Sequence, residues 1–272
     1  MMAASLYLDY EPLIRLSFFF GTLIIIALWE VVVPCRKLSI PKRVRWFNNL
    51  GLVVLNTVLL RMIFPVTTVS MAVIAAEHHW GLFNRIRLSG WQVLVLSVVI
   101  FDWIIYLQHV LFHFLPRLWQ LHKVHHADPD FDVTTGLRFH PLEIVLSMGI
   151  KLIAIAALGM PVIAVLLFEI LLNVTSLFNH GNVRLPTGCD RILRWFLVTP
   201  DMHRVHHSVM PQETNRNFGF NLPWWDYLFG TYCDRPALNH QAMSIGLPEY
   251  QKDPRVAQLP WMLILPFLKQ PM

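Results

Sequence analysis

The chain has 272 residues, of which 55% are hydrophobic and only 14% charged, and its mean hydropathy is +0.49. Soluble domains carry about 25% charged residues, so the composition excludes an ordinary soluble protein and indicates an integral membrane one. The formal net charge of +5 would suit nucleic acid, but long apolar runs argue for no nucleic-acid partner and for positives placed by membrane topology.

In chain order, Asp9 and Glu11 precede the first apolar run, without the basic start of a cleaved signal peptide. Residues 14–33 form that run, with Arg15 and Glu30 near its ends, and it is long enough for the roughly 20 residues a span needs. Arg36, Lys37, Lys42, Arg43 and Arg45 follow at once, which marks this loop as cytoplasmic. The second run, residues 50–76, contains Arg61 and Pro65 and should go back out, kinked at the proline. His78 and His79 then fall at the external interface. The third run, residues 91–115, returns and ends on His109 and His113 before Pro116 breaks it. A short segment, 117–127, and a polar loop, 128–138, lead to His140-Pro141. Gly159-Met160-Pro161 divides residues 142–178 into two helices of about 17 residues each. Both are short for a full span, and a tilted crossing or a re-entrant hairpin fits them equally. Thr199-Pro200-Asp201 reads as a helix start, with a capping hydroxyl and proline in the first turn. Residues 259–268 are too short to span and are expected at the interface. Cys35, Cys189 and Cys233 are widely spaced and read as reduced structural thiols.

The expected fold is all-α: a multi-pass bundle of about four to five membrane helices, with a cytoplasmic helical cap carrying a histidine-rich two-metal site. Residues 1–90 would hold the N-terminal membrane helices and basic loop, 91–250 the metal domain, and 251–272 an interfacial tail.

The histidines carry the chemistry. His122, His125 and His126 form one H-x-x-H-H, His203, His206 and His207 a second, and His109 with His113 an H-x-x-x-H. On helices these spacings share a face, so each H-x-x-H-H is expected to aim three imidazoles at one point. Imidazole suits zinc, copper, iron and nickel, and eight such groups exceed one ion and suggest two. The assumed topology brings them, with His180, to the cytoplasmic face. His140 is read as an additional ligand, a hydrogen-bonding support or a turn residue. Asp102, Tyr106, His109 and His113 form one polar stripe, and Glu169, Asn173, Ser176 and His180 another with the same spacing. Asp102 and Glu169 either support the metal site from below or bind helices together, with Arg61 their expected partner. Trp224 and Trp225 are expected as interfacial anchors rather than as a cavity lid. The clusters hold no carboxylate, which argues against a zinc hydrolase of the H-E-x-x-H kind.

These motifs, with L-W-Q-L-H-K-V-H-H (118–126), R-F-H-P-L-E (138–143), F-N-H-G-N-V-R-L-P (178–186) and the tail at 213–232, resemble the fatty acid hydroxylase/sterol desaturase superfamily of membrane di-iron enzymes. The resemblance implies two non-haem irons held by His109, His113, His122, His125, His126, His180, His203, His206 and His207, with no catalytic residue beyond the ligands. It implies an oxidoreductase that uses O2 to hydroxylate or desaturate an unactivated C–H bond of a lipid such as a sterol or fatty acyl chain. Electrons would come from an external donor, a b5-type cytochrome, ferredoxin or reductase; the basic face with Arg184, Arg191, Arg194 and Arg204 reads first as ordinary positive-inside bias and second as a docking face for that donor. Some members carry a further histidine where this chain has Ser176, so one ion should keep an open position or recruit His140. A non-catalytic metal-binding membrane protein and a zinc-dependent membrane enzyme remain the alternatives.

Overall fold

The computed structural model describes residues 2–268; the last four residues of the expected tail lie outside them. Among the described residues the chain is all-helical, with only two isolated bridges, Pro34–Val183 and Ser208–Ile245. The helices are α1 (Met2–Val32), α2 (Lys42–Ile63), α3 (Thr68–Glu77), α4 (Gly90–Phe114), α5 (Pro116–His126), α6 (Pro141–Leu158), α7 (Val162–Asn179), α8 (Thr187–Leu193), α9 (Pro200–His206), α10 (Pro211–Thr214), α11 (Trp224–Phe229) and α12 (Leu259–Ile264).

Five stretches are long and apolar enough to cross a bilayer: Tyr10–Val32, Lys42–Asn84, Gly90–Phe114, Pro141–Leu158 and Val162–Asn179. Their outward faces are apolar. Leu13, Ile25, Leu28, Val54, Met62 and Ile153 are each at least 61% exposed, a surface that suits lipid rather than water. With the 18 residues of α6 and of α7, each covers about 27 Å, close to the ~30 Å hydrocarbon core.

Local chemistry sets the breaks. Before Pro65, Phe64 is extended (φ −110°, ψ 107°), as a residue preceding proline must be. The second run therefore breaks rather than kinks, and α3 restarts where Thr67 Oγ1 accepts the Ser70 N–H at 3.1 Å. Gly159 ends α6 in the left-handed region (φ 67°), and a Cβ there would meet Trp80 O at 2.3 Å. Pro161 then leads into α7.

α7 is central. α1, α3 and α4 pack along it, and α6 packs on α2 and α3. Phe101, Ile105, Ile155, Val165 and Phe168 form the core between these helices. The pairing expected for Arg61 does not form: Arg61 is exposed on α2, two positions from the helix end at Ile63. Its long side chain suits an interfacial position there. Glu169 is instead held by Lys151 at 2.8 Å and Arg15 at 3.2 Å. Asp102 accepts from Trp225 Nε1 at 2.8 Å and from Leu222 N at 3.3 Å. Both carboxylates thus join helices.

The cap is built on one end of this bundle. The basic loop after α1 lies on the same end: Cys35 N donates to Asn182 O, and Ser39 N donates to Asp130 at 2.8 Å. Loop 128–138 is pinned by Arg45, fully buried at the start of α2. Its guanidinium donates to Asp128 at 2.6 Å, to Thr135 Oγ1 at 3.0 Å and to Asp132. Burial pushes the Asp128 carboxyl up, but Arg45 and Arg138 outweigh it and hold the group below its usual value. Arg138 donates to Val124 O at 2.7 Å and Val256 O at 2.5 Å. The chain beyond 250 is thereby drawn in, and Trp261, Met262 and Leu265 bury against Leu52 and Val124.

Asp128→Ala should leave the Arg45 charge buried without its forked partner and cost about 3–5 kcal/mol. Thermal unfolding in detergent micelles checks this; an unchanged midpoint would refute a structural role for the pair.

Candidate metal centre

The sharp turn at Leu115 (φ −94°, ψ 115°) folds α5 back from the end of α4, so His109 and His113 meet His122, His125 and His126. His180 caps α7. Thr199 Oγ1 accepts the Met202 N–H at 3.3 Å and starts α9, which delivers His203, His206 and His207. All nine histidines meet in one buried space, in two groups: His109, His113, His122, His126 and His206, and His125, His180, His203 and His207. Within each, one ring nitrogen per residue lies within 4.8 Å of all the others. The groups share a wall where His126 stacks on His207, ring centres 4.5 Å apart.

Neither H-x-x-H-H aims three rings at one point. In the first copy His122 and His126 join one group and His125 the other; in the second, His203 and His207 stay together and His206 crosses over. Helix geometry explains the split. Positions i and i+4 differ by about 40° around the axis, whereas i+3 and i+4 diverge by about 100°. Each copy therefore gives two ligands to one group and one to the other.

The hydrogen bonds decide which nitrogen is available. Nδ1 of His109 donates to Phe218 O at 2.8 Å, that of His180 to Ser176 O at 2.8 Å, and that of His206 to Arg216 O at 2.7 Å. Nδ1 of His122 donates to Glu143 Oε1 at 2.7 Å, and His113 Nδ1 pairs with Asn215 Oδ1 at 3.3 Å. Carbonyls only accept, so Nδ1 carries the proton and Nε2 presents a bare lone pair. Nε2 of His109, His113, His122 and His206 is buried without a partner. His180 Nε2 lies 3.0 Å from His203 Nε2 and 3.2 Å from His125 Nε2, and metal bonds of about 2.1 Å at right angles would space two donors about 3.0 Å apart. Burial, then the neighbouring imidazoles, hold His125, His126, His203, His206 and His207 well below the usual histidine value. Burial pushes His180 down to about 3. Neutral rings with free lone pairs are the form that binds metal, so the residues fit two ions of the imidazole-binding kind.

Other expectations divide. His140 joins neither group: its Nδ1 accepts the Leu142 N–H at 3.2 Å and its Nε2 pairs with Leu263 O at 3.2 Å, so it caps α6. Asp102 and Glu169 touch no histidine. Ser176, one turn before His180, donates its hydroxyl to Gly136 O at 2.9 Å. A Cβ on Gly136 would meet Ser176 O at 2.6 Å, so only glycine admits that approach. His180's group thus has four members against five in the other. Of the expected docking arginines, Arg204 and Arg194 are buried in pairs with Asp201 and Asp190; Arg184 and Arg191 are exposed. Glu143 was missed by sequence reasoning, although a carboxylate in an apolar run was the available signal. The carbonyl anchors carry no side-chain signal.

Beneath the histidines a cavity of about 280 Å³ runs between α1, α2, α4, α6 and α7. Its roof includes Phe139, stacked on His125 at 4.5 Å, and Phe220, edge-on to His109 at 6.4 Å. Neither Trp224 nor Trp225 lines it.

The family model for fatty acid hydroxylase matches residues 94–231. Among curated proteins the chain is similar to ornithine lipid hydroxylase OlsE of Rhizobium tropici, 30% identical over 80% of this chain and 66% of that protein. It is similar to alkylglycerol monooxygenase of Xenopus tropicalis, 28% identical over 56% of this chain and 34% of that protein. It is also similar to Delta(7)-sterol-C5(6)-desaturase of Nicotiana tabacum, 26% identical over 73% of each. The chain thus spans just under two thirds and about a third, respectively, of the first two relatives. No solved structure matches it.

Glu143→Gln should weaken metal binding about 10–100-fold, because a carboxylate partner orients the ring and raises its basicity. Asp102→Asn, which alters a contact to Trp225 and none to a histidine, should keep wild-type affinity. Chelator competition measures both; equal affinity in Glu143→Gln and wild type would remove the orienting role.

Proposed function

The chain belongs to the fatty acid hydroxylase family, and from that premise we propose that it is a membrane-bound oxygenase using two iron ions and O2 to hydroxylate, or desaturate, an unactivated C–H bond of a lipid. One observation carries the reading: nine imidazoles, eight buried and His113 half-buried, in groups of five and four, four of them with Nδ1 tied to an acceptor and Nε2 free. The relatives act, by their names, on ornithine lipid, alkylglycerol and sterol, which supports a lipid substrate and an oxidative reaction.

His109, His113, His122, His126 and His206 would hold one iron, and His125, His180, His203 and His207 the other. When bound, the two ferrous ions supply the electrons that activate O2 toward a C–H bond. The protein's own residues do the rest. Glu143, Phe218 O, Ser176 O and Arg216 O each hold a ring proton on Nδ1 and so fix ring orientation. Burial of eight of the nine histidines, with His113 half-buried, keeps bulk water from the reacting groups. The cavity beneath opens the bilayer-side face of the site to a lipid. The four-member group, where Ser176 replaces a further histidine, is the one with room for an exchangeable ligand.

The basic loop after α1 shares the end of the bundle that carries the histidines, which supports a cytoplasmic position for them. An external electron donor would approach from that side, where Arg184 and Arg191 are exposed.

Purified protein should contain about two irons per chain and consume O2 when reduced with lipid present. His203→Ala should lose both the second iron and a hydroxylated or unsaturated lipid seen in expressing cells. Zinc as the sole metal, with no O2 uptake, would reject the oxygenase reading in favour of a zinc-dependent enzyme.

A further inference from the structure

The cavity beneath the histidines is bounded by membrane helices, and its surface is mostly apolar, yet about half of the side chains lining it are polar. A hydrocarbon chain would need only the apolar part. Intramembrane polar groups mark substrate paths by default, so each group's partners matter.

Most of the donors are used within the protein, Gln108 Nε2 donating to Ser147 Oγ at 3.2 Å. Thr57 Oγ1 donates to Val53 O at 2.8 Å, Ser176 Oγ to Gly136 O at 2.9 Å and Asn173 Nδ2 to Glu169 O at 2.7 Å. The charges at the deep end are matched as well, since Lys151 and Arg15 both hold Glu169, and Arg15 also holds Glu11 at 2.7 Å. The acceptors nearer the histidines are not matched. Asn56 Oδ1, Gln108 Oε1 and Glu143 Oε2 are buried without partners, and all three residues line this cavity. They come from three helices, α2, α4 and α6. For Asn56 the amide orientation is set, because its Nδ2 donates to Phe139 O at 2.9 Å. For Glu143, Oε1 takes the His122 proton, so Oε2 is the free oxygen. Asn56 and Glu143 are 7% and 4% exposed, and the three oxygens have almost no accessible surface, so a ligand in the cavity meets them after a small side-chain shift.

We infer that this cavity takes a lipid by a polar head bearing hydrogen-bond donors, hydroxyl or ammonium, which Asn56, Gln108 and Glu143 receive directly beneath the histidines. A plain acyl chain would leave these acceptors unpaired in a low-dielectric site, and a site built to accept hydrogen bonds discriminates against a ligand that lacks them. Glu143 links the two tasks, holding His122 with one oxygen while its side chain lines the cavity. The carbon presented for oxidation then lies in the polar head or next to it, and the apolar remainder extends away from the histidines toward the bilayer. Calling this occupant the substrate rests on the oxygenase reading; the binding preference does not.

The test measures equilibrium binding to the full chain, as purified with its metal, in phosphatidylcholine nanodiscs without O2. The probes are a monoacylglycerol, a long-chain alkylamine and a fatty acid methyl ester of matched chain length. At least one donor-bearing lipid should bind about tenfold more tightly than the ester, and which one does separates hydroxyl from ammonium. Asn56→Leu should abolish the preference while ester binding stays within about twofold. Gln108→Met should reduce it, which keeps the test open if Asn56→Leu does not fold. Equal binding of all three lipids by wild type, or an undiminished preference in folded variants, overturns the inference. Iron content and O2 uptake, measured in parallel, report on the oxygenase reading separately. A donor preference without O2 uptake would sink that reading and leave this one standing.

Discussion

Nine imidazoles buried against one another are a stable arrangement only when something takes up their lone pairs. A buried polar atom without a partner costs about 1–3 kcal/mol, and the unpartnered Nε2 atoms of His109, His113, His122 and His206 already approach the ~5–15 kcal/mol that keeps a whole domain folded. Metal binding turns that deficit into a gain, so folding of the cap and loading of the site are coupled. The acceptors beside Nδ1 of His109, His122, His180 and His206 hold those rings in the tautomer that leaves Nε2 to the site.

The anchors come from widely separated parts of the chain. Glu143 stands on the first turn of α6, Ser176 on the last turn of α7, and Arg216 and Phe218 in the segment after α10. That segment is itself fixed. Asp226 accepts the N–H groups of Phe218 and Gly219 at 2.8 and 2.7 Å, and Asn217 Nδ2 donates to Met202 O at 2.9 Å. Asn217 adopts φ 53°, which asparagine tolerates better than most residues. On the other flank, Arg45 and the aspartates of loop 128–138 pin the end of α5. The metal ligands therefore rest on two polar networks and not on the apolar core, which lies further down the bundle.

The membrane part of the molecule has a corresponding logic. At depth Glu169 is closed into ion pairs with α1 and α6, while Asp102, which has no cation partner among the described residues, ties α4 to the start of α11 by a hydrogen bond from Trp225. Closer to the histidines the polar groups are left open toward a cavity. The contrast between matched charges below and unmatched acceptors above separates what holds the bundle from what receives a ligand.

Much of this was legible in the sequence because it depends on local pattern. Hydropathy marked the spans, Pro116 and Gly159-Met160-Pro161 marked breaks, Thr199-Pro200 marked the start of α9, and the histidine motifs marked rings that meet in one site. What spacing could not say is how they divide: His125 and His206 each leave their own motif for the opposite group, because the division depends on how α5 and α9 face one another. Arg61 looked like the partner of Asp102 or Glu169 because it lies mid-way along the second apolar run, yet Arg15 and Lys151 reach Glu169 across helix contacts that no local pattern encodes. Glu143 and the carbonyls of Ser176, Arg216 and Phe218 gained their roles only when distant segments met. The sequence by itself determined a helical membrane protein with a histidine-rich site, since hydrophobic length and residue type are properties of the chain alone. Only the tertiary structure decided which nitrogens face the site, which carboxylate orients a ring and which acceptors face the cavity, since hydrogen bonds form between neighbours in space.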